Sequence, residues 1–219
     1  MLAARSSGRG GYRAGAGRPR KNEGERRGHG ARPVLAARFP VHVTLKVLAG
    51  VPHLRRGVCF QVLRGCFVAG MDRFGFRLVH FTVQGNHLHL VCEAKDKVAL
   101  GRGMKGLAVR IARGLNRTVE RRGQVFAERY HARILRTPTE VRRALVYVLG
   151  NSRRHAPERY GRGWIDPCSS AIWFDGWKRR PTEPWARAEG AEPVVAAGTW
   201  LLEKGWRRAG LLDPDDVPG

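Results

Sequence analysis

Two alternating runs, Phe76–Val83 and His87–Ala94, are separated only by Gln84-Gly85-Asn86, and this pairing constrains the chain more than any other feature. Apolar residues at every second position mark strands with two unlike faces, and a short Gly-Asn connection favours a hairpin. At period two, His87, His89 and Val91 point one way, while Leu88, Leu90 and Cys92 point the other. The same count places Phe76 and Phe81 on opposite faces of their strand. Two imidazoles one residue apart on a single face can reach a common point, which is half of a metal site. The alternative is that each simply satisfies a local hydrogen bond.

The segments around this hairpin give its setting. Val41–Leu48 alternates and is β-branched, so it reads as a strand ended by Gly50 and Pro52. Residues 56–69 carry Val58, Val62, Cys66 and Ala69 at helical spacing, with Cys59, Leu63 and Phe67 widening the stripe. A second helix begins at Asp96, with Met104, Leu107, Ala108, Ile111, Leu115 and Val119 along one stripe. His131–Leu135 is a short strand stopped by Pro138, and Thr139 is placed to cap a third helix over 140–151. The order β-α-β-β-α-β-α predicts an α+β fold. Its first six elements match a ferredoxin-like antiparallel sheet with helices packed on one face. Three domains are expected: a basic, disordered arm over 1–38, a central domain over 39–157, and a Trp-rich extension over 158–219 whose first half docks onto it.

The formal net charge is +23 in 219 residues. Such an excess calls for a polyanionic partner, most simply nucleic acid. No stretch of eighteen or more apolar residues and no signal-peptide pattern offers a membrane alternative, and the reading is cytoplasmic, with nucleoid DNA as the polyanion at hand. The four cysteines form no Cys-x-x-Cys pair, so neither a zinc knuckle nor a disulfide framework is indicated. Within the arm, Gly17-Arg18-Pro19-Arg20-Lys21 has the composition of an AT-hook core. Arg110, Arg113 and Arg117 lie on the polar flank of the second helix, and Arg143, Arg153 and Arg154 lie in and after the third. With Arg18, Arg20 and Lys21, they are the candidate DNA contacts.

The third helix adds chemistry. Val141, Ala144, Leu145 and Val148 form its buried stripe, Tyr147 lies on the shoulder, and Asn151 follows one turn later. A phenol and a carboxamide at the edge of a core-packed helix can both face the histidines. Gly150 interrupts this pattern at a cost of about 1 kcal/mol relative to alanine and is a candidate helix end, which would turn Asn151 away.

Taken together, Asn86-His-Leu-His89-Leu, the amphipathic helix, Phe126-Ala-Glu-Arg-Tyr-His and Leu145-Val-Tyr147-Val-Leu-Gly-Asn151 resemble the single-tyrosine HUH transposases of the insertion-sequence-200 type. The resemblance spans 39–155 and is strongest to the REP-associated tyrosine transposases (RAYT). It implies the HUH endonuclease fold, with His87, His89 and Asn151 holding a divalent metal, Mg²⁺ or Mn²⁺. It implies Tyr147 as the nucleophile that forms a 5′-phosphotyrosine bond and frees a 3′-hydroxyl, in single-stranded DNA folded into a hairpin. The residues themselves suit this chemistry. Phosphodiester cleavage needs charge neutralised on the non-bridging oxygens, and a tyrosine with an ordinary pKa near ~10 needs help to attack at neutral pH. The competing readings are a binding protein of the same fold that does not cut DNA, and an RNA-binding domain that would display aromatic residues on its central strands. Monomer and homodimer are both open.

Overall fold

The computed structural model describes residues 34–155, 160–182 and 191–218. Residues 1–33, most of the expected basic arm, lie outside them. Residues 34–38, counted with that arm on composition, belong to the fold, because Leu35 is buried in its core. The elements are β1 (Val41–Lys46), α1 (Gly57–Val68), β2 (Asp72–Arg73), β3 (Phe76–Val83), β4 (His87–Ala94), α2 (Lys97–Thr118), β5 (His131–Ile134), α3 (Pro138–Leu149), α4 (Asn151–His155) and α5 (Trp200–Glu203). Short 3₁₀ turns follow at Ser170–Trp173 and Gly205–Ala209.

The strands form one antiparallel sheet in the order β2-β3-β4-β1-β5. Without the two-residue β2, this is the strand order of a ferredoxin-like split βαβ, with β1 and β4 at its centre. Register follows the alternation: Thr44 lies opposite His89, Lys46 opposite His87, and Val43 opposite Leu90.

Each face of the sheet has its own core. On one side, Val41, Val43, Leu45, Leu88, Leu90 and Cys92 pack with Leu63 and Phe67 of α1 and with Met104, Leu107 and Ile111 of α2. Helix α2 begins with the Asp96 carboxylate accepting from the Val98 and Ala99 amides at 2.8 and 2.7 Å. It approaches the sheet closely at Gly103, where a β-carbon would fall 2.1 Å from the Phe76 ring. On the other side, Val79 and Val91 pack with Val141, Leu145 and Val148 of α3. That second core is completed by the C-terminal segment, through Ile165, Phe174, Leu201, Leu202, Trp206 and Leu212.

Two local readings are corrected. Phe76 and Phe81 do not point to opposite faces; both are buried against the α1 and α2 layer. A register shift between Leu78 and His80 inserts the extra residue that makes this possible. The cap of α3 is Thr137 and not Thr139. Its hydroxyl accepts from the Glu140 amide at 3.2 Å while the Glu140 carboxylate accepts from the Thr137 amide at 3.2 Å, a capping box with Pro138 in the first turn. No helix among the described residues is long and apolar enough to cross a membrane.

Candidate active site

The site lies between the middle of β4 and the overlying helix α3. Alternation sends His87 and His89 out on the α3 side, and His89 is only 5% exposed. Tyr147, on the flank of α3 beside its buried stripe, brings its hydroxyl to 3.4 Å from His89 Nε2, with the rings edge to face and 4.9 Å between centroids. The other nitrogen of His89, Nδ1, lies 3.1 Å from Thr44 Oγ1 and 3.3 Å from His42 Nε2, both on β1. His87 stands beside it with its ring centroid 4.7 Å from that of His89, and its Nδ1 is 2.8 Å from Asn86 Oδ1.

His42 was not legible as part of the site from its own segment. Its ring sits 5.7 Å from that of Tyr147, edge on. Burial, aided by the charge of Arg133 opposite it on β5, lowers its pKa to about 4, so it is neutral at physiological pH. The signal was there in principle, since His42, Thr44 and Lys46 are the polar positions of an alternating strand. What the sequence lacked was the pairing of β1 with β4.

Asn151 departs from the expected geometry. Helix α3 stops at Leu149 with Gly150 as its cap, and Asn151 opens the separate helix α4. Gly150 has no room for a side chain: a β-carbon would lie 2.9 Å from the Val146 carbonyl oxygen and 3.2 Å from that of Asp216. Asn151 is 1% exposed, and neither atom of its amide makes a hydrogen bond. A buried carboxamide with neither atom bonded to protein costs on the order of 1–3 kcal/mol unless a water or an ion partners it. Two imidazoles and such an amide suit a hard-to-borderline divalent cation. Among the described residues, no cluster of three or more His, Cys, Asp or Glu side chains could hold a metal.

The backbone around Asn151 is fixed by a network that joins segments 111 residues apart. Asp166 accepts two hydrogen bonds from the Arg55 guanidinium, at 2.7 and 2.8 Å, and one from the Ser152 hydroxyl. Arg55 also donates to the Val83 carbonyl at the end of β3, at 2.9 Å. The first residues of α4 are thereby tied to the hairpin that carries His87.

The candidate DNA contacts divide. Arg18, Arg20 and Lys21, and the side chain of Arg154, lie outside the described residues. Arg113 and Arg117 are exposed and Arg110 half-buried, all on α2, across the sheet from Tyr147. Arg143 is exposed on α3, one turn before Tyr147. Arg153 is corrected: it is 6% exposed, donates to the carbonyls of Tyr160, Gly161 and Trp164, and pairs with Asp215 at 2.8 Å. Its charge is used within the fold. Lys46 and Arg133, exposed on the site face of β1 and β5, are cations that the sequence reading did not single out.

These elements define a class: an α+β fold in which a ferredoxin-like sheet carries a histidine pair beneath a tyrosine-bearing helix. The same fold occurs in a solved REP-associated tyrosine transposase bound to a REP hairpin, with 14% sequence identity and a TM-score of 0.50. The match covers 64% of this chain and 80% of that one. No protein-family model matches the chain, and no curated protein matches it in sequence.

Proposed function

We propose that this chain is a metal-dependent, transposase-like enzyme that nicks and rejoins single-stranded DNA at hairpins, with Tyr147 as nucleophile. The observation that carries the reading is the approach of the Tyr147 hydroxyl to His89 Nε2, 3.4 Å away, on a histidine-bearing strand. The net charge of +23 and the fold shared with a hairpin-bound transposase support it. His87, His89 and Asn151 would hold Mg²⁺ or Mn²⁺, which would neutralise charge on the non-bridging phosphate oxygens. The Tyr147 oxygen forms a bond to phosphorus as the bond from phosphorus to the 3′-oxygen breaks. The phenol gives up its proton and the leaving 3′-oxygen takes one up, so the products are a 5′-phosphotyrosine and a 3′-hydroxyl. Attack by that hydroxyl or another reverses the step without ATP. Lys46 and Arg143 would contact flanking phosphates, and Arg133 would do so by leaving the Glu140 carboxylate, 3.2 Å away.

A second reading, a hairpin-binding protein that does not cut, is favoured by the helix break at Gly150, which removes Asn151 from the continuous turn after Tyr147. A single-stranded hairpin oligonucleotide and Mn²⁺ separate the two. The enzyme forms a denaturant-resistant protein–DNA adduct that Tyr147→Phe abolishes while binding persists; hairpin binding with no adduct under any divalent metal would establish the second reading.

A further inference from the structure

A neutral imidazole has one N–H and one lone pair. Only the nitrogen with the lone pair can ligate a cation or accept a proton, and the partner of the other nitrogen decides which one that is. For His87 the partner is an amide oxygen, Asn86 Oδ1, at 2.8 Å. An amide oxygen only accepts, so the tautomer that makes this contact a hydrogen bond is the one with the proton on His87 Nδ1 and the lone pair on Nε2. His89 has partners at both nitrogens that can each donate or accept. Its Nδ1 faces the Thr44 hydroxyl at 3.1 Å and the His42 imidazole at 3.3 Å, and its Nε2 faces the Tyr147 hydroxyl at 3.4 Å. Thr44 lies directly across the β1–β4 ladder from His89, so the pairing of the strands delivers this contact without any loop having to order.

Resting on the reading of His87 and His89 as metal ligands, we infer that Asn86, Thr44 and His42 are positioning residues that hold both imidazoles in the Nδ1–H tautomer and aim both Nε2 atoms at the space beside Tyr147. They act through the histidines and touch neither DNA nor metal. Asn86 acts from the hairpin turn and the other two from the neighbouring strand, so each ring is oriented by a different element.

The test is imidazole ¹H–¹⁵N correlation spectroscopy on the full-length, chelator-treated protein at about pH 8. Wild type should show the Nδ1–H pattern at His87 and His89. The double variant Thr44→Val, His42→Phe, which keeps the branched shape and the ring, should move His89 toward the Nε2–H form, and Thr44→Ser should not. Asn86→Ala should do the same to His87, and Asn86→Asp should leave it unchanged. Mn²⁺ affinity, read from the electron paramagnetic resonance signal of the free ion, should fall at least about tenfold in the double variant. An Nε2–H pattern at His89 in wild type would overturn the inference even if every variant misfolds. Unchanged tautomer and Mn²⁺ affinity in a folded double variant would also overturn it, leaving the metal reading intact. If the tautomers respond as stated while wild type binds no Mn²⁺, the positioning stands and the metal reading falls.

Discussion

Leu88, Leu90 and Cys92 leave β4 on one side and pack among apolar residues of α1 and α2; His89 leaves it on the other and meets a phenol, a hydroxyl and a second imidazole. One strand thus supplies both a sealed hydrophobic core and a polar site. The first face is closed by helices that follow their strands directly in the chain. The second needs α3 and then Leu201, Leu202, Trp206 and Leu212, more than fifty residues further on. On the first face β4 offers only apolar side chains to its core, whereas on the second an apolar core and the polar groups of the site lie side by side. That division predicts where substitutions act on folding and where they act on chemistry.

The largest expected effect is chemical. Tyr147→Phe keeps the ring that packs against His89 and His42, so adduct formation should drop below detection, at least about a thousandfold, with the melting temperature nearly unchanged. On the opposite face, Leu90→Ala should cost about 2–5 kcal/mol in denaturant unfolding because it empties a fully buried position. If instead Leu90→Ala were tolerated and Tyr147→Phe unfolded the chain, the assignment of the two faces would be reversed. Asp166→Ala should fall between them, at roughly 2–3 kcal/mol, since it leaves the Arg55 guanidinium without its two-point partner and releases Ser152. It should also reduce Mn²⁺ affinity, whereas Leu90→Ala should not.

Smaller effects sharpen the contrast. His80 is held neutral by burial, with its pKa lowered to about 4, and has Ser170 as a neighbour at 3.4 Å. Because the unfolded chain takes up this proton near its ordinary value of about 6.5, the contribution is fully present above that pH and is lost as pH falls toward about 4. Unfolding measured across that window should show stability declining with acid, and a folded His80→Gln variant should show a shallower decline. The smallest expected effect is electrostatic. Arg143→Ala, beside Tyr147, should lower the slope of log affinity against log salt for single-stranded hairpin DNA by about 0.7, while Arg113→Ala, across the sheet, should change it less. Equal changes would place α2 in the DNA interface.

The legible part of this molecule was set by short-range periodicity. Strict alternation in β4 was enough to separate His87 and His89 from Leu88 and Leu90, and the helical stripe of α3 put Tyr147 on the correct shoulder. The bulge between Leu78 and His80 escaped because an inserted residue leaves no mark in an alternation that counts from one end. Thr137 and Glu140 spelled a capping box, but Pro138 between them read as a strand stop when it was the first residue of the helix. His42 and Asp166 could not be seen locally at all. His42 is 47 residues from His89 and Asp166 is 111 from Arg55, and such contacts are fixed by sheet order and by the docking of the C-terminal segment.

The most direct measurement is mass spectrometry of peptides recovered after the protein is incubated with a single-stranded hairpin oligonucleotide and Mn²⁺, then digested with protease and nuclease. The expected result is a peptide containing Tyr147 that carries a 5′-phosphonucleotide on its phenolic oxygen. A nucleotide on any other residue, or cleaved DNA with no modified peptide, would contradict Tyr147 as the nucleophile.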